Sequence, residues 1–297
     1  MVNTKIEWCS TLGPDGILYH GNTFNPWWGC MKVSPACKNC YAEAFANRFH
    51  AGLWGPSKTT PRGIASEKYW KQPLKWNAKA KKTGVQLKVF CASMADVFED
   101  HPGIIDARKR LFDLIEKTPN LNWLLLTKRP ENIRAMVPDW WLNFGFPNNV
   151  WMGTTIENQE YVDTRLTELL KVPARIRFIS CEPLKGPLII ENGIISKYFV
   201  DRNGKEFRRI NWCIAGGESG PHAEPSHPDW FRSLRDQCKA AGVNYFFKQW
   251  GEWAPGEFGR LYRERSIDYM DGIQMVKIGK RSAGRLLDGV EFNEMPV

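Results

Sequence analysis

Three cysteines near the N-terminal end of the chain have a spacing that can bind a metal centre. Cys30, Cys37 and Cys40 form a C-x6-C-x2-C pattern in a loop that contains glycine and proline and precedes a predicted helix, Tyr41–Phe49. Three thiolates that lie this close in sequence can bind one metal centre. The spacing therefore favours a metal or cluster site over three cysteines that are incidentally buried.

Two kinds of metal centre remain open at this point. A structural zinc ion usually takes four ligands in two separated pairs, and no second pair of cysteines matches this one; His20 and His50 are candidate fourth ligands. A [4Fe–4S] cluster held by three cysteines leaves one iron open to a cofactor or substrate, which is a catalytic arrangement. The other five cysteines lie in apolar surroundings or alone and are predicted to be small core residues: Cys9, Cys91, Cys181, Cys213 and Cys238.

The elements that must position these cysteines follow a repeated order of apolar run, polar turn and helical stretch. The apolar runs are continuous rather than alternating, which is typical of strands covered on both faces in a parallel sheet. Six strands are predicted: Leu87–Ser93, Trp123–Thr127, Val150–Thr155, Ile176–Ser180, Ile210–Ala215 and Val243–Lys248. Apolar residues at helical spacing predict three helices between them: Ile104–Lys117, Asn158–Lys171 and Asp229–Ala241, the last ending at Gly242. This order predicts a (β/α) barrel or an open α/β sheet.

Polar side chains follow the predicted strands at the point where each strand ends. Because ligands bind at the carboxyl ends of parallel strands in α/β proteins, these clusters predict a binding site there. They are Ser93 with Asp96, Thr127-Lys128-Arg129, Thr154-Thr155 with Glu157 and Asn158, Ser180 with Glu182, Gly216-Gly217-Glu218-Ser219, and Lys248-Gln249. For any one of these residues a loop hydrogen bond is the competing interpretation, and Asn158 is placed to N-cap its helix.

Several motifs together carry a family resemblance over roughly residues 22–253. They are the cysteine loop followed by Tyr-Ala-Glu, then SMADVFED, LLTKRPENI, WMGTTIENQEYVDTRL, RFISCEPLKGPL and WCIAGGESGPHAEP. The chain resembles phage and bacterial proteins with a three-cysteine motif, which look like a divergent branch of the radical S-adenosylmethionine (SAM) superfamily. Within that superfamily it is most similar to the spore photoproduct lyase group. The first cysteine gap is three residues longer than the usual C-x3-C-x2-C, and the Gly-Gly-Glu motif, which usually follows the second strand, falls far later in the chain, at Gly216-Gly217-Glu218.

The resemblance implies a fold and two cofactors. The expected fold is a partial (β/α)6-type TIM barrel over residues 1–251, with insertions near 52–84 and 189–209. Residues 252–297 are expected to form an irregular C-terminal extension that packs on the barrel. The expected cofactors are a [4Fe–4S] cluster bound by Cys30, Cys37 and Cys40, and SAM on the open iron.

The resemblance also implies roles for the strand-end residues. Ser93 and Asp96 are expected to bind the ammonium group of SAM, and Lys128 or Arg129 its carboxylate. The ribose hydroxyls are assigned to Thr155, Glu157 and Asn158. No catalytic residue is fixed, and the candidates are Glu182, Glu218 and Lys248.

The charge of the chain favours a polyanionic partner. The net charge is +9, and tryptophans lie near basic residues, a combination that suits unstacked bases as well as an ordinary core: Trp70, Trp76, Trp140 and Trp141. With the resemblance to phage proteins, this predicts a nucleic-acid substrate, a (hyper)modified thymine base in phage DNA, and an isomerisation or carbon–carbon bond formation. Competing substrates are a peptide, a free nucleoside or a tRNA base.

Two other classes of function compete with a radical enzyme. One is a zinc- or cluster-containing nucleic-acid-binding protein without catalysis, and the other is a phage accessory protein whose cysteines only staple a loop. The chain has no apolar run of membrane-spanning length and no signal peptide, which predicts a cytoplasmic protein (in the host cell if phage-encoded) without a membrane partner. A monomer is expected, and the radical chemistry implies an external one-electron reductant.

Overall fold

One parallel sheet of seven strands organises the computed structural model, which describes residues 4, 6–190, 198–200, 206–208, 210–256, 266–268 and 271–296. The strands are β1 (Asn22–Thr23), β2 (Leu87–Cys91), β3 (Leu121–Thr127), β4 (Val150–Thr155), β5 (Ile176–Cys181), β6 (Trp212–Gly216) and β7 (Asn244–Gln249). Their order in the sheet is the order in the chain, from β1 to β7, and the neighbouring strands pair in parallel. The expected mixed α/β fold with parallel strands is confirmed, and the strand order is consistent with a partial TIM-like fold.

The predicted strands exist because their residues are apolar on both faces. Every residue of β2, β4, β5 and β6 is buried, which is the environment that continuous apolar runs require. The six predicted strands are present, with ends that differ from the prediction by at most two residues. β1 was not predicted, since two residues carry no periodic signal.

Ten helical segments connect and flank the strands in the part of the chain that is described. They are α1 (Tyr41–Ala46), α2 (Glu67–Trp70), α3 (Gln72–Thr83), α4 (Ile105–Glu116), α5 (Ile133–Met136), α6 (Asp139–Phe144), α7 (Gln159–Tyr161), α8 (Thr167–Leu170), α9 (Pro228–Ala241) and α10 (Lys280–Ala283). A π-type turn, Val162–Leu166, joins α7 to α8. The predicted end of α9 is confirmed, because Gly242 takes the left-handed conformation with φ of 63°.

Regular structure occurs both in the predicted insertion at 52–84 and in the C-terminal extension that was expected to be irregular. The supposed insertion at 52–84 contains α3, which packs against β2 and β3 and is therefore the crossover helix between β1 and β2. Regular structure also occurs among the described residues of the C-terminal extension, where Trp253–Pro255, Gln274–Lys277 and Ser266–Asp268 form an antiparallel three-stranded sheet.

The remaining strands are short antiparallel pairs. Thr11–Leu12 pairs with Leu18–Tyr19, and Trp27–Trp28 pairs with Gly63–Ile64. Of the predicted insertion at 189–209, much lies outside the described residues, and the described part pairs Tyr198–Val200 with Glu206–Arg208.

Two compact units divide the chain. The first comprises Met1–Thr154 with Glu168–Arg177, and the second comprises Thr155–Thr167 with Phe178–Val297. Across the described ranges, no helix is both long enough and apolar enough to cross a membrane.

A buried lysine in β2 makes the stability of the first unit depend on pH. Lys88 is 4% exposed, and its ammonium donates a hydrogen bond to the carbonyl oxygen of Ser10 at 2.9 Å. Burial lowers the pKa of Lys88 to about 8, because the charged form loses its hydration. The unfolded chain therefore holds this proton at pH values where the folded chain has released it, and stability from this residue is lost as the pH falls toward 8.

We expect substitution Lys88→Met to remove that dependence. Between pH 7 and pH 9.5 the wild type should gain about 2 kcal/mol relative to the variant, measured by urea unfolding at both values. The control is Lys82→Met, the same change at an exposed position, whose difference from wild type should stay constant. A Lys88→Met difference that does not change with pH would show that the buried lysine keeps its ordinary pKa.

Candidate functional site

The cysteine loop follows β1 directly and is joined to the end of β2. The amide of Gly29 donates to the carbonyl oxygen of Met94 at 3.0 Å. The side-chain oxygen of Asn25 accepts a hydrogen bond from the amide of Met94 at 2.9 Å, and its side-chain nitrogen donates to the Ser93 hydroxyl at 3.1 Å. The first half of the loop is therefore fixed at the carboxyl end of β2.

Helix α1, which begins at the residue after Cys40, is attached to the same strand end. The Tyr41 hydroxyl donates to the carbonyl oxygen of Ser93 at 2.9 Å. Ala42 and Ala46 are buried against Met94. Since the helix starts at the third cysteine, these contacts also position the second half of the loop.

A fully buried ion pair holds the loop from its other side. Both side chains of the Glu99–Arg62 pair are 0% exposed, and Arg62 Nη2 lies 2.7 Å from Glu99 Oε1. The same oxygen accepts hydrogen bonds from the amide of Met31 at 3.1 Å and the hydroxyl of Ser57 at 2.9 Å. The guanidinium also donates to the carbonyl oxygens of Leu53, Gly55, Thr60 and Pro61. One carboxylate thus ties the residue after Cys30 to a second loop, 53–62.

Asp96 and Arg129 form a second buried pair at the ends of β2 and β3. Asp96 Oδ2 accepts hydrogen bonds from Arg129 Nη1 at 2.9 Å and from the amide of Lys128 at 3.0 Å. Its other oxygen accepts from the Thr127 hydroxyl at 2.6 Å and the amide of Phe98 at 3.0 Å. All four acceptor positions of this carboxylate are taken by donors of the chain itself.

Arg129, one member of this second pair, also contacts the cysteine loop. Its Nη2 donates to the carbonyl oxygen of Met31 at 2.7 Å, and its Nη1 lies 3.7 Å from the sulfur of Cys30. In this structure Asp96 and Arg129, expected to contact SAM, contact each other and the loop.

The cysteines of the loop differ from the other cysteines in exposure. Cys30, Cys37 and Cys40 are partly exposed, whereas the five predicted core cysteines are all buried, as expected. Burial and the charge of Asp96 raise the pKa of Cys30 to about 12, against the opposing effect of Arg129. Burial also acts to raise the pKa of Cys37, but the Lys128 charge and hydrogen bonds from Val33 and Ser34 outweigh it, and the pKa is lowered.

The three sulfur atoms of the loop do not converge on one point. Within the described ranges, the one set of three ligand atoms of His, Cys, Asp or Glu lying within 4.8 Å of one another belongs to His227, Asp229 and Asp271. A zinc ion bound by three thiolates would place the sulfurs about 3.8 Å apart. In a [4Fe–4S] cluster each cysteine binds a different iron, so the sulfurs need not meet at one point.

The two histidines considered as fourth ligands have other contacts. His20 Nδ1 lies 3.2 Å from the hydroxyl of Ser10. His50 packs edge-on against Trp28, with ring centres 5.8 Å apart. Neither contact brings a histidine into a group with the cysteines.

In the second unit, two adjacent acceptors after β4 lack donors. Glu157 is fully buried, and its Oε2 accepts from Arg165 Nη1 at 2.7 Å, while its Oε1 has no hydrogen-bond partner in the described structure. Asn158 occupies the N-cap position of α7, but its side chain makes no capping bond and its Oδ1 is buried without a partner. The carbonyl oxygen of Thr155 accepts from the same Arg165 nitrogen at 2.9 Å. Helix capping therefore does not account for Asn158.

Glu182 and Lys248 form an ion pair at the ends of β5 and β7. Lys248 Nζ lies 2.8 Å from both carboxylate oxygens, and the two side chains are 21% and 19% exposed. Gln249 Nε2 donates to Glu182 Oε1 at 3.2 Å and to the Ser219 hydroxyl at 3.2 Å, while Gln249 Oε1 is buried without a partner. The pair is accessible to solvent, and the hydrogen bond from Gln249 helps to position Glu182.

Packing and loop structure account for the Gly-Gly-Glu motif after β6. A Cβ atom on Gly217 would lie 1.9 Å from the carbonyl oxygen of Trp250, so the close approach of two backbones requires glycine. Glu218 is 6% exposed and accepts from Lys185 Nζ at 3.1 Å and from the amide of Glu224 at 2.8 Å. Glu218, a candidate catalytic residue, therefore holds its own loop.

The sequence interpretation missed three residues that build the cysteine site. Asn25 and Glu99 lie inside segments whose motifs were noticed, but no role was assigned to them. Arg62 lies in the region taken for an insertion. Their partners are 37 to 69 residues away in the chain, and no spacing pattern marks such pairs.

The chain belongs to a family described as "Protein of unknown function (DUF5131)", whose family model matches residues 3–296. The match extends over both units. Neither the curated proteins nor the solved structures include a match to this chain.

We expect Glu99→Gln to loosen the loop around Cys30. The substitution leaves the Arg62 guanidinium buried without its counter-charge, and breaking such a pair costs about 3–5 kcal/mol. Because Glu99 also contributes to the raised pKa of Cys30, its loss favours the thiolate as well. The alkylation rate of Cys30, followed by mass spectrometry, should rise roughly tenfold or more.

Two comparisons separate loop opening from general unfolding. Asp100→Asn removes a carboxylate from the next, exposed residue and should leave the rate unchanged. Cys91, fully buried in β2, should stay unlabelled in Glu99→Gln. Equal labelling of Cys30 and Cys91 would mean that the whole unit has opened, and an unchanged Cys30 rate would mean that the ion pair does not hold the loop.

Proposed function

We propose that this protein is a radical SAM enzyme that binds a [4Fe–4S] cluster through Cys30, Cys37 and Cys40. The observation that carries the proposal is the position of the cysteine loop. It follows the first strand of a sequentially ordered parallel sheet and is fastened to the carboxyl ends of β2 and β3. That edge is where α/β proteins of this kind place their cofactors.

The donor set of the loop fits a cluster with one open iron. Three thiols are partly exposed and the sulfurs do not converge, and the positive charge of Lys128 stabilises the Cys37 thiolate. When bound, the cluster and SAM supply a one-electron cleavage of the sulfonium and a carbon radical that abstracts hydrogen from the substrate. The chain supplies the positions: Asp96, Arg129 and the Glu99–Arg62 pair orient the loop.

The strand-end residues of the second unit fit the ribose of SAM. A ribose offers two hydroxyl donors, and the buried Glu157 Oε1 and Asn158 Oδ1 are two acceptors without donors. A buried acceptor that lacks a partner in the protein costs free energy unless a ligand supplies the hydrogen bond. Thr155 completes the set assigned by resemblance.

Other residues are proposed for the carboxylate and the ammonium group of SAM and for proton transfer. Lys128 stays the proposed cation for the carboxylate, as the resemblance assigns it, and its amide donates to Asp96 Oδ2 at 3.0 Å. The Ser93 hydroxyl shares hydrogen bonds with Asn25 and stays the proposed partner for the ammonium group. For proton transfer to or from the substrate we propose Glu182 and Lys248, which form a partly exposed pair, ahead of Glu218.

A basic helix supports a nucleic-acid substrate. Helix α3 contains four lysines and no acidic residue, and its buried face consists of Pro73, Trp76 and Ala80. All four lysines of the helix are exposed, and two more exposed lysines precede it: Lys75, Lys79, Lys81 and Lys82, then Lys68 and Lys71. Such a row of cations suits a phosphate backbone.

The tryptophans that suggested base stacking contribute less. Trp70, Trp76 and Trp141 are buried core residues, and of the four only Trp140, 41% exposed, is available to a base. The proposed substrate is a base of DNA, a modified thymine in the phage setting that the resemblance suggests, and the reaction is an isomerisation or carbon–carbon bond formation. The lysine face alone would equally serve a metal-containing nucleic-acid-binding protein without catalysis, which is the second candidate.

Anaerobic reconstitution with iron and sulfide tests the proposed cofactor. The wild type should bind about four irons and four sulfides per chain and, after reduction with dithionite, cleave SAM to methionine and 5′-deoxyadenosine. Cys37→Ala should lose both properties, whereas Cys238→Ala, a core cysteine on α9, should retain both. A colourless protein with one zinc per chain would refute the proposal in favour of the second candidate.

Titration with single-stranded DNA tests the proposed substrate class. Exchanging Lys75, Lys79 and Lys82 for glutamine should weaken binding and reduce the slope of log K against log salt by about 2. The matched control exchanges three exposed lysines on other helices or turns: Lys109, Lys117 and Lys239. Fluorescence anisotropy at about 50 and 200 mM salt gives both slopes. Absence of wild-type binding at low salt would remove nucleic acid as the substrate.

A further inference from the structure

Helix α1 has its large side chains on the outside. Tyr41, Phe45 and Phe49 are 60%, 44% and 64% exposed, whereas Ala42 and Ala46 are buried. The three aromatic residues are spaced by four, so they share one face of the helix and of the turn that continues it. An ordinary amphipathic helix would bury its rings and expose its alanines.

These three rings are called here the α1 patch, and two of them, Phe45 and Phe49, are in contact. The ring centres of Phe45 and Phe49 lie 5.3 Å apart, and Phe45 lies 6.1 Å from the partly buried Trp28. Tyr41 is anchored through its hydroxyl to Ser93. The patch is therefore ordered before any partner arrives, and ordered contact residues bind at a lower entropic cost.

Basic residues flank the α1 patch in sequence. Lys38 and Arg48 are exposed on either side of the helix in sequence. The nearby carboxylate of Glu43 is matched by Lys32, whose Nζ lies 2.7 Å away. A partner that covers the patch must tolerate positive charge, and an acidic surface would be attracted to it.

The α1 patch lies close in the chain to a proposed cluster ligand. Cys40 is the N-cap of α1, so Phe45 lies about 7.5 Å further along the helix axis. Ala42 and Ala46 pack against Met94 after β2, so the exposed Phe45 and Phe49 lie on another face of the helix, while Tyr41 reaches Ser93 through its hydroxyl. A substrate base has to reach the strand ends, whereas an electron donor has only to come near the cysteine loop.

We propose that the α1 patch is the docking surface for an acidic one-electron donor protein that carries a low-potential flavin or iron–sulfur group. This inference rests on the proposed function. One electron passes from the reduced donor to the cluster, so the donor is oxidised by one electron and the cluster is reduced by one, with no bond made or broken. Three exposed rings suit the small, transient interfaces of electron-transfer complexes, and the cations raise the rate of encounter.

The test compares a protein donor with a chemical one. The variant Phe45→Ala/Phe49→Ala removes two exposed rings, and Phe144→Ala, which removes an 87% exposed ring on α6, is the matched control. Stopped-flow absorbance follows cluster reduction by a reduced acidic flavodoxin, and calorimetry measures flavodoxin binding directly. In the double variant the flavodoxin-driven rate and the affinity should fall at least tenfold, while reduction by dithionite and dithionite-driven SAM cleavage stay at the wild-type level.

Charge reversal gives a second variant with a distinct signature. Arg48→Glu should weaken flavodoxin binding and make it less sensitive to salt, since one attractive charge has become repulsive. Phe144→Ala should behave as wild type in every measurement.

Three results would overturn the docking inference while leaving the radical enzyme intact. One is an unchanged flavodoxin rate and affinity in the double variant. Another is a loss of DNA binding in place of flavodoxin binding, which assigns the patch to nucleic acid. The third is a wild-type dimer that the double variant dissociates, which assigns the patch to a second copy. If the wild type assembles no cluster and does not cleave SAM with dithionite, the proposed function and this inference fail together.

Discussion

The buried ion pair between Glu99 and Arg62 is the interaction on which the cysteine loop depends. Two fully buried charges are tolerated because both oxygens of Glu99 accept hydrogen bonds and all three nitrogens of the Arg62 guanidinium donate them. Removing one member would leave the other as a buried charge without a counter-charge, which costs about 3–5 kcal/mol. The amide of Met31 is one of the donors to Glu99. The ion pair therefore also fixes the position of the residue next to Cys30.

A second buried carboxylate repeats this arrangement from the strand ends. Asp96 orients Arg129, and Arg129 donates to the carbonyl oxygen of Met31. The peptide groups that flank Met31 are thus held at the amide by Glu99 and at the carbonyl by Arg129. Polar residues at strand ends therefore divide into two kinds, those that hold the loop and those, such as Glu157 and Asn158, with a buried acceptor that has no hydrogen-bond partner in the described structure.

This division explains what the sequence could and could not predict. Strands β2 to β7 were predictable because burial on both faces requires continuous apolar runs, and the end of α9 was predictable because its left-handed turn requires Gly242. The roles of Asp96 and Glu99 were not predictable, because their partners are distant in the chain and a carboxylate that holds a loop has the same sequence signature as one that binds a ligand. The burial of Trp70 and Trp76 could not be predicted either, since lysines surround both residues in the sequence.

The same close packing that positions the cysteines also shapes the outer surface. Ala42 and Ala46 on the inward face of α1 pack with Met94, which follows β2. Small side chains let the helix backbone approach the strand end, and that approach brings Cys40 with it. The aromatic residues of α1 then have no inward space and lie outside, next to a cysteine. Folding requires the alanines but does not require the rings, so the cause of the aromatic face is to be sought in a partner that covers it.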